Sequence, residues 1–193
     1  MKERELVETL KTKALPEGSD DKLLEFLRLF RDAAQLVVNG MWNLETTPSL
    51  KTLHKMFYSK LVSYGFRAHH AKQIYSYARA IIKATKRNNG RKPVLRRLTA
   101  RIDKYDYRLN LENKLLTLKL HNGYEVKLKL LVPEGRIKKF LGWRNYELAI
   151  KFDGESYWVS IYFKKKIVKL KKPRTVMAVD VNFGNVTVVV FSK

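Results

Sequence analysis

Two dipeptides constrain this chain more than any other feature: Asn122-Gly123 and Asp153-Gly154 each stand between stretches in which apolar and polar residues alternate. A tight connection between antiparallel strands needs positive φ angles, which Asn-Gly and Asp-Gly supply at little steric cost. Leu115 to Leu120 and Tyr124 to Leu130 therefore make one predicted hairpin, and Tyr146 to Phe152 with Ser156 to Phe163 a second. In the second, Leu148, Ile150 and Phe152 face one way, while Trp158, Ser160 and Tyr162 alternate against Val159, Ile161 and Phe163. Ile102 to Leu109 is predicted as one further strand. Five such strands are enough for a small barrel or half-barrel.

The first half of the chain follows a different period. Leu6 to Leu15 alternates loosely and ends at Pro16-Glu17-Gly18, as a strand followed by a turn would. After Ser19-Asp20, apolar residues recur with helical spacing from Leu23 through Phe26, Phe30, Val37 and Met41 to Leu44. A second helix opens at Pro48-Ser49, carries Leu50, Leu53, Phe57, Leu61 and Tyr64 on one face, and stops at Gly65. A third runs from Arg67 to Lys86 through Ala71, Ile74, Tyr75, Ala78 and Ile82, and ends at Asn88-Asn89-Gly90. The reading is a small helical bundle followed by antiparallel strands, an α+β chain.

Charge narrows the function. The net charge is +22, and it is unevenly spread: residues 1–45 hold 9 acids and 7 bases, residues 46–193 hold 9 acids and 33 bases. A surface tuned only for solubility settles at a net charge of roughly 2 to 8, so the excess points to a polyanion. No apolar run approaches the ~20 residues that span a bilayer, so no membrane partner is expected. Met1 to Thr9 has no apolar stretch of a secretory signal, so a cytoplasmic location is expected, nucleoid-associated if the polyanion is nucleic acid. With no cysteine, it has neither disulfides nor a thiolate zinc site.

Two stretches concentrate the cations. The first holds Arg79, Lys83, Lys86, Arg87, Arg91, Lys92, Arg96, Arg97 and Arg101, with Lys104 and the single acid Asp103 at its end. The second, Lys164 to Arg174, holds seven bases and no acid, among them Lys164, Lys165, Lys166, Lys169, Lys171 and Lys172. Each phosphate neutralised by such residues releases condensed counterions, and arginine adds a fork that fits phosphate oxygens. Aromatics are interleaved: Tyr75, Tyr77, Tyr105, Tyr107, Trp143, Tyr146, Tyr157 and Trp158. Aromatics at helical or strand spacing are ordinarily core residues, while exposed ones can stack on bases. Trp143, between Gly142 and Arg144 in a predicted loop, is the leading candidate. His69 and His70 point about 100° apart on a helix, and with His54 and His121 isolated, satisfied or surface roles are expected of all four.

The most specific local signal is the run from Met177 to Phe191, in which Asp180-Val181-Asn182-Phe183-Gly184 separates two β-branched strands. An acid closing a buried strand is costly unless it is paired or binds a cation. It is either a turn residue satisfied by backbone amides or the first carboxylate of a two-metal site. The order of elements and this motif resemble the N-terminal half of TnpB, the RNA-guided DNA endonuclease of bacterial and archaeal insertion sequences, which is related to compact CRISPR effectors. Many members have Asp-x-Gly at the motif; Asp180-Val181-Asn182-Phe183 is similar to the archaeal branch.

The resemblance implies a helical bundle inserted in a small split antiparallel β-barrel, followed by the first hairpin of a truncated RNase H-like (RuvC) domain. Residues 1–18 would be the first strand of the wedge barrel, 19–92 the recognition bundle, 93–172 the wedge barrel, and 173–193 the start of the nuclease domain. Guide RNA and DNA would be the partners. Asp180 would be the first RuvC carboxylate and a weak, incomplete metal site, with Mg²⁺ required only when later carboxylates and a zinc ribbon, both outside these 193 residues, are present. No cofactor and no nuclease activity are then expected of this chain alone. The hairpin, read with Val176, Ala178, Val186, Val188 and Val190 on one face, is apolar on both sides, so self-association through residues 174–193 is possible. The other reading of the charge is a non-catalytic RNA-binding protein of a structural or ribosome-associated kind. The actin and sugar-kinase hairpin, which wants Asp-x-Gly with a following Thr or Ser, fits Asn182-Phe183 poorly.

Overall fold

The computed structural model describes residues 4–167, 175–182 and 185–192. The chain divides into two compact units, Val7–Lys165 and a second drawn from Met1–Leu6 and Lys166–Lys193. In chain order the elements are β1 (Arg4–Pro16), α1 (Asp21–Trp42), α2 (Leu50–Ser63), α3 (Ala68–Arg87), β2 (Leu98–Asp103), β3 (Tyr107–Asn110), β4 (Leu115–Lys119), β5 (Glu125–Leu130), α4 (Glu134–Phe140), β6 (Arg144–Phe152), β7 (Tyr157–Ile167), β8 (Thr175–Asn182) and β9 (Asn185–Ser192).

The fold is α+β: four helices and a curled seven-stranded antiparallel sheet, a half-barrel, in the order β2-β6-β7-β1-β5-β4-β3. The first strand of the chain thus lies in the middle of the sheet, and the three long helices are inserted between it and its partner β5, where Ala14 pairs with Leu130. Curling follows from connectivity. β2 and β3 stand at opposite ends of the strand order, and only residues 104–106 join them. Seven flat strands would span about 29 Å at the usual spacing of about 4.8 Å, whereas the step from Asp103 to Tyr107 reaches at most about 14 Å. A flat sheet is therefore excluded.

That connection corrects the single strand expected from Ile102 to Leu109. The alternating pattern continues through it, but Asp106 N–H donates to Asp103 O at 2.9 Å and Tyr105 N–H to Asp103 Oδ1 at 3.3 Å, closing a turn. Asp106 is fully buried, its Oδ1 3.0 Å from Arg67 Nε and its Oδ2 3.4 Å from His70 Nε2. His70 is equally buried. Its Nδ1 accepts from Arg67 N–H at 3.4 Å and its Nε2 donates to Lys119 O at 3.1 Å, the arrangement of a neutral ring. Burial holds the imidazole down at about 4 and, on the other side, raises the Asp106 carboxyl above its usual range. This cluster fastens the start of α3 to the corner between β2, β3 and β4.

The helices form as their periodicity requires. Leu23, Phe26, Leu27, Phe30, Ala33, Ala34, Val37, Val38 and Met41 of α1 are buried; Leu44 lies beyond its end and is exposed. Ser49 caps α2 by accepting from Thr52 N–H at 3.1 Å. Helix α1 packs on α3 and β2, and α3 also packs on α2. Phe26 sits at the meeting point, with ring centres 5.1 to 6.1 Å from those of Phe30, Phe66, His70 and His121.

Both hairpins form, with wider connections than two residues. Asn122 (φ 52°) and Gly123 (φ 78°) take the positive angles of a type I′ turn, closed by Tyr124 N–H to His121 O at 3.1 Å. The register Lys119↔Glu125 nevertheless gives β4 one extra residue at the turn, a bulge. The turn is held from outside: Asn122 N–H donates to Gly65 O at 2.9 Å, and Gly65 has φ 81°. Helix α4, which the sequence reading did not anticipate, follows Pro133 and buries Ile137 and Phe140.

In the second unit β8 pairs antiparallel with β9. Its register, Met177↔Val190, Val179↔Val188 and Ala178↔Val189, corrects the expected faces: Val188 and Val190 share a face with Met177 and Val179, not with Ala178. Directly paired residues project to the same side, so the register decides the grouping. Met177, Val179, Val188, Val189 and Val190 are exposed. Among the described residues no helix is long and apolar enough to cross a membrane.

Candidate nucleic-acid interface

The first cationic stretch divides by role. Arg79 Nε donates to Pro48 O at 2.7 Å and Lys86 Nζ to Leu44 O at 2.6 Å, so these two side chains fasten the α1–α2 connection to α3. Lys83, Arg87, Arg91, Lys92, Arg96 and Arg97 are exposed. The non-helical segment that carries the last four is not loose. Gln35 of α1 accepts from Leu95 N–H at 2.7 Å and donates to Pro93 O at 3.2 Å, a two-point clamp on the backbone. Gln35 lies off the apolar stripe of α1, so no periodic signal in the sequence points to this clamp. Arg101 is half-buried on β2, its guanidinium 5.5 Å from the Tyr77 ring centre.

Lys164, which opens the second stretch on β7, stands directly opposite Arg144 on β6. Lys164 Nζ lies 4.6 Å from the Tyr146 ring and Lys165 Nζ 5.5 Å from the Trp143 ring, while Lys165 and Lys166 are exposed. Lys169, Lys171 and Lys172 lie outside the described residues, as does the side chain of Asp180, whose backbone pairs with Thr187. Trp143 does occupy the turn before β6, but its ring packs on Phe140 at 5.7 Å and against the core, which leaves it a poorer platform than expected. Tyr75, Tyr107 and Tyr157 are core residues; Tyr105 is exposed.

The half-barrel's outer surface gathers cations that the linear charge count had set aside. Alternation sends Leu10, Thr12 and Ala14 of β1 inward and Lys11 and Lys13 outward. Because β1 adjoins β7, both lysines meet Trp158, each with Nζ 5.3 Å from its ring centre. A hollow of about 370 Å³ is lined there by Lys11, Thr99, Ala149, Lys151, Trp158 and Ser160. A second, of about 490 Å³, continues through Lys151 to Arg96 and Arg97, and a third, of about 240 Å³, through Lys11 and Trp158 to Lys13 and Arg136. The first hollow shares Lys151 with the second and Lys11 and Trp158 with the third, so the three together mark one shallow track.

Asp153 is the one acid lining that track among the described residues. Its Oδ1 accepts from Ser156 N–H at 2.8 Å and Glu155 N–H at 3.1 Å, and its Oδ2 from Trp158 Nε1 at 2.7 Å. Those donors hold its carboxyl down at about 2, so it stays ionised while its lone pairs are engaged by its own hairpin. The track therefore presents Arg96, Arg97, Lys151, Lys11, Lys13 and Arg136 with little opposing charge, the electrostatic requirement for a phosphate backbone. Among the described residues no three His, Asp or Glu side chains converge on a metal position. No protein-family model and no curated protein matches the chain.

Proposed function

We propose that this chain binds nucleic acid, guide RNA together with target DNA, as the N-terminal portion of a TnpB-like RNA-guided DNA endonuclease. The observation that carries the binding is the continuous track from Arg96 and Arg97 across Lys151 and Trp158 to Lys13 and Arg136. The TnpB-like assignment draws on the order of elements: a central first strand, an inserted helical group, a half-barrel, and a separate hairpin bearing Asp180. In that reading Asp180 is the first RuvC carboxylate, and Mg²⁺ is bound only once further carboxylates join it.

The test is a salt titration of binding to structured RNA and to duplex DNA. Engagement of six phosphates gives a slope of about −5 in log affinity against log salt, a loss of about 10³-fold between 50 and 200 mM. Charge reversal at Arg96, Arg97 and Lys151 lowers the magnitude of the slope by about 0.9 per residue engaged. A flat titration, or a slope that the three reversals leave unchanged, overturns the proposal.

A further inference from the structure

We infer that Trp158 is a stacking platform for a base of an unpaired RNA strand that crosses the outer face of the half-barrel. The inference rests on the nucleic-acid binding proposed above and adds to it a site, a strand state and a sugar. Trp158 is half-buried and projects outward between the inward residues Tyr157 and Val159. Large aromatics on an outer sheet face are surplus to the core, and this one is held in a fixed attitude. Its Nε1 donates to Asp153 Oδ2 at 2.7 Å, and Asp153 is itself pinned by two backbone amides. A ring oriented in advance loses little freedom when a base lands on it.

Three cations surround the ring in the way a stacked nucleotide requires. Lys151 is its direct cross-strand neighbour, and Lys11 and Lys13 reach it from β1. Lysine ammonium groups resting on an exposed indole face are only weakly held there, so the phosphates of an arriving strand draw them aside and uncover the ring. Among the described residues no acid lines the hollow beside Trp158, which carries the hydroxyls of Thr99 and Ser160. Hydroxyls suit base edges and the ribose 2′-OH, the group that distinguishes RNA from DNA. A duplex cannot use the platform, because its bases are already stacked on one another. The adjoining hollows let the backbone enter past Arg96 and leave past Arg136.

The experiment uses the whole chain with labelled oligo(U), oligo(dU) and an RNA duplex of equal length, comparing wild type with Trp158→Leu and Trp158→Phe. Leucine keeps apolar bulk without a π face, and phenylalanine keeps the face, so the pair separates stacking from folding. Trp158→Leu is expected to weaken oligo(U) binding by about 5- to 150-fold, the range for one stacked base, while Trp158→Phe retains most of it and the duplex loses less than oligo(U) does. Unchanged oligo(U) binding by Trp158→Leu, or equal losses on duplex and single strand, overturns the platform while leaving general binding intact. An equal loss on oligo(dU) overturns the assignment to RNA, and equal competition by a polyglutamate peptide overturns the assignment to a nucleic acid. Failure of wild type to bind any of the three oligonucleotides refutes the underlying proposal instead.

Discussion

Stability between pH 7 and pH 5 is expected to depend on His70. The ring is fully buried against Phe26 and Phe66 and held at about 4, against 6.5 for an ordinary histidine. Burial is the main cause; the charges of Arg67, His121 and His69 act in the same direction, and the hydrogen bond to Lys119 O opposes them. Between these two values the unfolded chain binds a proton that the folded chain refuses. Stability contributed by neutral His70 is therefore complete above about pH 6.5 and is lost as pH falls toward 4. The full loss is about 3 kcal/mol, of which about 2 kcal/mol falls between pH 7 and pH 5. Asp106, whose carboxyl is raised, contributes with the opposite sign: its protonation in the folded state adds stability as pH falls toward the ordinary carboxylate value.

Urea unfolding of wild type and His70→Gln, measured at pH 7, 6 and 5, isolates the histidine, because Asp106, Arg67, His69, His121 and Glu25 are common to both. Wild type is expected to lose about 2 kcal/mol relative to the variant over that range. Parallel curves, or a wild type that gains on the variant as pH falls, refute the reasoning. Parallel curves would mean that His70 takes up its proton as readily in the fold as in the unfolded chain, and a gain would mean that Asp106 Oδ2, 3.4 Å away, favours the charged ring.

Two further predictions concern packing. At Gly65 an added Cβ would lie 1.9 Å from Asn122 Oδ1, and φ is 81°, so Gly65→Ala combines a clash with a left-handed backbone and costs about 2–4 kcal/mol in wild type. In an Asn122→Gly background only the backbone cost of about 1–2 kcal/mol remains; equal costs in both backgrounds by urea denaturation would show that the turn does not rest on Gly65. Phe26→Ala removes the ring common to α1, α3 and the half-barrel and is expected to cost about 3–5 kcal/mol by the same assay, and a loss below about 1 kcal/mol contradicts the packing.

The candidate interface was only partly legible in the linear chain. Residues Arg91 to Arg97 were visible as charge, and their exposure agrees, but the clamp from Gln35 that orders them depends on a contact 58 to 60 residues away in sequence. Lys11 and Lys13 belong to a segment whose acids and bases nearly balance, which hid them. The loop position of Trp143 suggests an exposed ring, whereas Phe140, on a short helix with little periodicity to announce it, packs against that ring.

Local residue patterning fixes the type of each long element. Period 3.6 built α1, α2 and α3, and period 2 with Gly-containing turns built the two hairpins, because burial of one face selects a local geometry that a few adjacent residues already encode. Strand order was decided only by tertiary structure. Nothing in Leu6 to Leu15 says that this strand will lie between β5 and β7, yet that placement brings Lys11 and Lys13 to Trp158 and creates the track. Likewise, the run from Ile102 to Leu109 alternates as one strand would. It breaks at Asp103 to Asp106, where Asp106 N–H closes a turn on Asp103 O and the Asp106 carboxyl meets Arg67, which precedes a helix formed earlier in the chain. Periodicity reports which side of an element is apolar. Which element covers that side is settled by the pairing of distant segments, whose closure cost varies only slowly with the length of chain between them and so leaves little local signature.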